Sequence, residues 1–317
     1  MKHEAKKVLV LGGTGFVGGY VCSRLARAGH QITLLTRDAQ QARSSKLLPN
    51  TTLVETDVYR QQALRKLING HDVVINLVGI LNERGFSGKG FQRAHVQLPD
   101  TVMAAMGEAG VRRYIHMSAL HAGEGNSHYQ RSRGEAEQHV RDSGLDWTIM
   151  QPSVIFGRGD SFLNRFAGLL KIAPVLPLAC AGSRFQPVWV VDVAQAFVAA
   201  VERPETIGQS YELGGPEIFT LRQIVELVRD LLGVKRLIIG LPKPLSWLQG
   251  QVLDFVPGKP FSSDNYKSLQ MHSVVKGEDG LQRLDIPAHS LTAIAPDYIG
   301  GGRRRKLFSK AQRNARR

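Results

Sequence analysis

Cysteine is almost absent from this chain: its 317 residues carry only Cys22 and Cys180, and no C-x-x-C pair. That excludes a disulfide framework and a thiolate zinc site, and it fits a reducing compartment. Cys22 falls in line with Gly15, Gly18 and Leu25 on one stripe of an expected helix, where a thiol behaves as a small hydrophobe. Long apolar runs are missing too. The longest, 166–181, is interrupted by Lys171, Pro174 and Pro177, and it is shorter than the roughly 20 residues that a membrane span needs. The apolar run at 8–11 is too short for a signal peptide and passes straight into glycines, so it reads as a strand. There are no internal repeats and no metal-ligand cluster. These absences point to a cytoplasmic globular protein.

Acid is lacking in one stretch in particular. The formal charge is +14, yet Arg303, Arg304, Arg305, Lys306, Lys310, Arg313, Arg316 and Arg317 supply eight of those charges with no Asp or Glu between them. The rest of the chain is only mildly basic. Such a block repels itself, and a disordered tail is expected over 301–317. It is suited to anionic lipid, where each basic residue contributes roughly 1 kcal/mol, and so to holding the protein at the inner face of a membrane. Nucleic acid is not expected, because that reading rests on the tail alone and the tail lacks interleaved aromatics.

What the chain does contain is a regular alternation. Apolar strands are expected at 8–11, 32–36, 52–55, 73–77, 114–117 and 147–151, with helices near 15–28, 61–68, 91–109 and 129–142 between them. Continuous apolar strands separated by helices specify a parallel sheet covered on both faces. After Pro152 the pattern loosens. A turn at Gly157-Arg158-Gly159-Asp160 leads to an apolar helix from 162 that ends in the proline-rich stretch 173–177. A strand at 188–191 runs into a helix over 193–201, and a short strand follows at 211–213. Thr220 caps an amphipathic helix with Leu221, Ile224, Val225, Val228, Leu231 and Leu232 on one side. Segments 242–255 and 262–269 and a last helix ending near Ile299 complete the chain. The expected fold is α/β, a Rossmann-type doubly wound parallel sheet with a smaller, mostly helical C-terminal lobe. The nucleotide-binding domain would span 1–151, completed by about 186–216, and the lobe 152–185 and 217–300.

Between the first strand and the first helix stands Gly12-Gly13-Thr14-Gly15-Phe16-Val17-Gly18. In this context the glycines have separate tasks: Gly12 allows the tight turn, Gly15 lets backbone amides approach a pyrophosphate, and Gly18 lets helix pack on sheet. The helix N-terminus then holds the anion through free N–H groups and its partial positive charge. Gly12, Thr14, Gly15, Phe16, Val17 and Gly18 are therefore read as a dinucleotide loop. The second strand ends at Arg37, where a carboxylate would bind the ribose 2′-hydroxyl of NAD and a cation the 2′-phosphate of NADP. Asp38 follows and pulls the other way, but Arg37 takes the strand end, so NADP(H) is expected over NAD(H). Asp57 and Val58 would flank the adenine; Leu77, Val78 and Gly79 would line the middle of the nucleotide.

With these residues in place the chain resembles the short-chain dehydrogenase/reductase superfamily in its atypical branch. Within that branch it is similar to the nucleotide-binding accessory subunit of respiratory complex I and its bacterial relatives. The resemblance runs from Gly12 to about Ile299. It includes Tyr129-Gln130-Arg131-Ser132-Arg133-Gly134-Glu135, Gln151-Pro152-Ser153-Val154-Ile155-Phe156-Gly157, the stretch from Gln186 to Ala194, Leu213-Gly214-Gly215-Pro216, and Pro257-Gly258-Lys259-Pro260 with Ser263-Asp264-Asn265. It implies that Pro152 and Val154 touch the cofactor, and that Ser118, Tyr129 and Arg133 stand where a Ser, Tyr, Lys set does chemistry. Tyr and Lys in such a set share one helix face, the Tyr passing a proton and the Lys holding ribose. Arg133 keeps the charge of the missing lysine but not its shape, and Gln151 stands where relatives commonly carry arginine. His116, along a buried strand, is expected to be a satisfied core residue.

Two kinds of function stay open. One is an NADPH-dependent oxidoreductase, or a related epimerase or dehydratase, with Phe162, Phe166, Leu169, Leu170 and Leu176 hinting at a quinone-like or isoprenoid ligand. The other is a scaffold that keeps its nucleotide and serves a membrane-associated protein complex, linked by resemblance to complex I or ubiquinone synthesis.

Overall fold

The computed structural model describes residues 4–40, 42, 48–83 and 85–300; the basic stretch 301–317 lies outside them. The first half of the chain builds β1 (Lys7–Leu11), α1 (Phe16–Arg27), β2 (Gln31–Thr36), β3 (Thr51–Glu55), α2 (Gln61–Ile68) and β4 (Val73–Asn76). Next come the short α3 (Lys89–Phe91), a π-helical turn (Gln92–Gln97) and α4 (Leu98–Ala109), followed by β5 (Arg113–Met117), α5 (His128–Asp142) and β6 (Asp146–Pro152). The second half adds β7 (Ile155–Phe156), α6 (Phe162–Ile172), β8 (Val175–Leu178), β9 (Arg184–Phe185), β10 (Val188–Trp189), α7 (Val190–Glu202) and β11 (Gln209–Leu213). The chain then forms β12 (Phe219–Thr220), α8 (Leu221–Leu232), β13 (Leu237–Gly240), α9 (Lys243–Leu253), α10 (Ser263–Ser268), α11 (Gly280–Arg283) and α12 (Leu291–Ile294).

Seven strands form one sheet in the order β11-β6-β5-β4-β1-β2-β3, every pair parallel. The order reverses at β1, so β2 and β4 flank it and open a crevice at their carboxyl ends. Successive strand side chains point to opposite faces, and both faces are covered. Val10, Ile32 and Ile75 pack beneath α1 and α7 with Val21, Leu25 and Phe197. Leu9, Leu11, Val74 and Tyr114 pack under α2, α4 and α5 with Leu64, Leu98 and Val140. This double burial is why β1 and β4 read as unbroken apolar runs. Cys22 lies inside the first of these layers, and burial pushes its thiol up to about 12. It is core, not nucleophile. A third cluster, built on Phe156, Leu163, Leu170, Ile224, Val228 and Ile238, holds the smaller lobe together.

Three expectations need correction. Only Val188 and Trp189 are extended; Val190 and Val191 already belong to α7. A run of β-branched residues looks like a strand, but this helix is wrapped by α1, the sheet and the C-terminal segment, and burial overrides propensity. The stretch 173–177 is more than a proline-rich helix end, because β8 pairs there in parallel with β13, with Val175 opposite Leu237. The helix expected at 91–109 is interrupted by the π-helical turn, a rare device that is frequent at functional sites. Among the described residues no helix is long and apolar enough to cross a membrane.

Candidate functional site

The parallel sheet delivers the carboxyl ends of β1, β2, β4, β5 and β6 to one rim. At its centre Gly12 turns with φ +76, and a Cβ there would come within 3.0 Å of the backbone of Leu77 and Val78. The Gly15 N–H closes the turn by donating to Gly12 O at 3.1 Å, and α1 begins at Phe16 with no side-chain cap and no acid in its first turn. The first intrahelical bond runs from Gly19 N to Gly15 O at 2.9 Å, so the N–H groups ahead of it point out of the helix end toward the rim. Gly18 is the tightest point. A Cβ on it would lie 2.3 Å from Gly12 O and 2.5 Å from the Gly13 Cα. Gly18→Ala must therefore push α1 off the loop, and nucleotide affinity should fall about 100-fold, equivalent to about 2.7 kcal/mol. Gly19→Ala, whose Cβ meets nothing within 4 Å, should bind nucleotide as the parent does. Calorimetry on the two proteins checks both.

Arg37 lies exposed just past β2, and no hydrogen bond or ion pair engages it among the described residues. Asp38 is turned to its own loop: Oδ1 accepts from Gln40 N at 2.9 Å, and its backbone pairs twice with the Thr36 hydroxyl. Asp57 is likewise a turn former, accepting from Tyr59 N at 3.1 Å, and Val58 is buried beside it. After β4, the buried Asn76 folds the exit segment by accepting from Val78 N at 3.0 Å, while its amide donates to Tyr114 Oη at 3.1 Å. Leu77, Val78 and Gly79 thus pass directly beside Gly12. Pro152 and Val154 stand at the end of β6, where Pro152 O accepts from Leu120 N and Val154 O from Val188 N.

On the neighbouring strand end, Ser118 is buried and its Oγ has no hydrogen-bond partner among the described residues. Tyr129 and Arg133, one turn apart on α5, meet there: the guanidinium carbon lies 5.5 Å from the Tyr129 ring centroid. Arg133 is buried, donates Nη1–H to Met117 O at 2.8 Å, and leaves Nε unpartnered. Its Nη2 crosses to β4, since a Cβ on Gly79 would lie 2.1 Å away. The arginine bridges the ends of β4 and β5. Two orphaned buried polar atoms, Ser118 Oγ and Arg133 Nε, beside the glycine loop make a rim fit for a polar ligand. His116 is core, as expected, but only half satisfied: Tyr114 Oη pairs with Nδ1 at 3.2 Å and Nε2 has no partner. Burial, with the Arg133 charge second, lowers its pKa to about 3.

Several residues at this rim escape a reading of the sequence. Asp264, from the lobe, accepts from His128 N at 2.6 Å and Tyr129 N at 3.2 Å, placing a carboxylate on the positive end of the helix that carries Tyr129. Glu83 accepts from Gly88 N and Gly90 N. His95, in the π-helical turn, is fully buried between α5 and the segment after β4. One signal pointed to it: it shares a helical stripe with Phe91, Leu98 and Val102, a polar ring in an apolar row. Of the apolar lobe residues, Leu170 and Leu176 are core members, and Phe162 packs on Phe166 and Phe185 at 5.5 and 5.8 Å.

Comparison with known proteins agrees with this fold. Residues 12–160 match the family described as NAD(P)H-binding. The chain is 33% identical over 290 residues to the mitochondrial NADH dehydrogenase (ubiquinone) 1 alpha subcomplex subunit 9 of Mus musculus, covering 87% of this chain and 75% of the mouse protein. It is 28% identical to a ceramide reductase of Caulobacter vibrioides, covering 80% of each. Among solved structures, an NADPH-dependent quinone oxidoreductase from Escherichia coli, complexed with NADPH, superimposes with a TM-score of 0.74 at 18% identity, over 90% of this chain and 97% of that one.

Proposed function

The chain belongs to the atypical short-chain dehydrogenase/reductases, in the family of the NADH dehydrogenase (ubiquinone) 1 alpha subcomplex subunit 9, and from that premise we propose that it prefers NADP(H) to NAD(H) and works as a weak or specialised oxidoreductase. The observation that carries this reading is the pair of unpartnered buried atoms, Ser118 Oγ and Arg133 Nε, next to Tyr129. Each costs on the order of 1–3 kcal/mol while unpaired, a cost that the polar atoms of a bound nucleotide and substrate would relieve.

The residues divide the work as follows. The amides from Gly13 to Gly18 take the pyrophosphate, and Arg37 takes the 2′-phosphate while Asp38 stays bound to its own turn. Asp57 and Val58 flank the adenine, and Leu77, Val78, Gly79, Pro152 and Val154 line the nicotinamide half. A bound nicotinamide supplies or accepts hydride, which leaves the protein to manage a proton. Tyr129 carries that proton, Ser118 Oγ orients the substrate oxygen, and Arg133 faces the ribose with the donors that Met117 O does not use. Because a guanidinium replaces the ammonium of a more usual set, turnover is slow. The substrate is a neutral, partly apolar carbonyl or quinone, consistent with the surface left on Phe162, Phe166 and Leu169. Tyr129→Phe should lower NADPH oxidation with a short-tailed quinone by 10²–10⁴, the usual worth of a general acid; an unchanged steady rate would remove Tyr129 from the mechanism.

One observation favours a second reading. Arg133 already donates to Met117 O at 2.8 Å, so its charge also serves to tie strand ends together, as in a cofactor-bound scaffold for a membrane-associated assembly. Bound nucleotide at a hundredfold excess over Kd would add about 2.7 kcal/mol to such a fold. Denaturing the purified protein and identifying what it releases separates the readings: NADPH released stoichiometrically from a protein with no turnover favours the scaffold. In either case the basic stretch 303–317 is the part suited to an anionic membrane surface.

A further inference from the structure

Both ring nitrogens of His95 are hydrogen-bonded near the rim, and no step above uses it. Its Nε2 lies 3.1 Å from Ile80 N. A backbone amide can only donate, so Nε2 must be the acceptor. Burial, reinforced by the Arg133 charge, lowers the imidazole pKa to about 2, so the ring is neutral and its proton sits on Nδ1. That Nδ1–H meets Ser132 Oγ at 2.9 Å, and the Ser132 hydroxyl donates onward to Tyr129 O at 3.0 Å. The ring also stands edge-on to Tyr129, with centroids 5.5 Å apart. A merely space-filling residue here would be apolar, since a buried polar ring is costly unless hydrogen-bonded. Instead both nitrogens reach segments that flank the crevice.

We propose that His95 is a positioning residue for the nicotinamide half of the nucleotide, locking the segment 77–80 that leaves β4 to the turn of α5 that carries Tyr129. The inference rests on the reading of this rim as an NADP(H) site, and it assigns the lock to one half of that site only. Arg37, past the end of β2, lies across β1 from this hydrogen-bond chain, which meets the glycine loop only where Leu77 and Val78 pass Gly12.

The test compares two probes by calorimetry: NADPH, which fills both halves, and 2′,5′-ADP, which fills only the adenosine half. Wild type should bind both. In His95→Ala the Ile80 amide and Ser132 hydroxyl lose their partner, and NADPH affinity should fall roughly 10- to 100-fold while 2′,5′-ADP stays within about twofold. Ser132→Ala removes a small side chain and one link of the chain, so it keeps the test alive if the histidine variant does not fold; about threefold to tenfold loss for NADPH alone is expected. Equal weakening of both probes by either variant, or Ser132→Ala binding both like the parent, overturns the lock. A wild-type protein that binds neither probe is a different failure, removing the nucleotide reading and the inference with it.

Discussion

Arg37→Glu is expected to invert the nucleotide preference, with the NADPH-to-NADH affinity ratio falling about 100- to 1,000-fold. A guanidinium on a phosphate forms charge-assisted hydrogen bonds worth roughly 1.5–3 kcal/mol. A carboxylate in its place replaces that attraction with repulsion toward the 2′-phosphate and gives the free 2′-hydroxyl of NADH an acceptor. Each 1.4 kcal/mol is about tenfold. Two features make the effect clean. Arg37 is exposed with no partner among the described residues, so removing it costs the fold little, whereas the neighbouring Asp38 carboxylate is committed to Gln40 N. The measurement is calorimetric titration of both proteins with both reduced nucleotides. A ratio near one in the parent, unchanged in the variant, would take Arg37 out of recognition.

The second large effect is on stability, and it comes from acid. Burial lowers the pKa of His95 to about 2 and that of His116 to about 3, so both rings stay neutral in the folded protein at any ordinary pH. In the unfolded chain an imidazole titrates near 6.5. Below that pH the unfolded state binds two protons that the folded state refuses, and stability drops as pH falls. Above it both states are neutral and the effect vanishes. Between pH 6.5 and 5 the two rings should together remove about 3 kcal/mol, with the slope approaching about 2.7 kcal/mol per pH unit. That is a large share of a total of roughly 5–15 kcal/mol. Asp192 and Asp279, whose carboxyls burial pushes upward, act in the opposite sense, so comparison with a histidine variant isolates the imidazole share. Urea unfolding at half-unit steps provides the slope, and His116→Gln should cut it by about half. A free energy level across that range would show that neither ring is held neutral by the fold.

These two expectations differ in where their grounds were visible. The turn at Gly12, the close pass at Gly18 and the position of Arg37 all lie within a few residues of β1 and β2, and local spacing carries them. Tyr129 and Arg133 are singled out by the resemblance to a Ser, Tyr, Lys set, and their four-residue spacing then puts them on one helix face. His95 and His116 were different. His95 falls inside the helix expected over 91–109 with no role assigned to it, and His116 reads as a satisfied strand residue. Their neutrality arises first from desolvation by elements brought together in the fold and then from the Arg133 charge, and sequence spacing does not reveal that burial. Asp264 shows the same limit. It caps α5 from 136 positions away, and nothing around residue 264 announces a helix that far off.

By itself, the sequence determined the βαβ entry with its glycine loop, the parallel sheet covered on both faces and the helical lobe, because each is written in short-range periodicity and spacing; the family rests on the resemblance of its motifs. Only the tertiary structure decided that Arg133 bridges two strand ends, that β8 and β13 pair, that α7 begins at Val190, and that His95 ties the β4 exit to the Tyr129 turn. The physical reason is common to all four. Long-range packing sets which polar groups lose water and which partners replace it, and a residue's own neighbours in the chain do not carry that information.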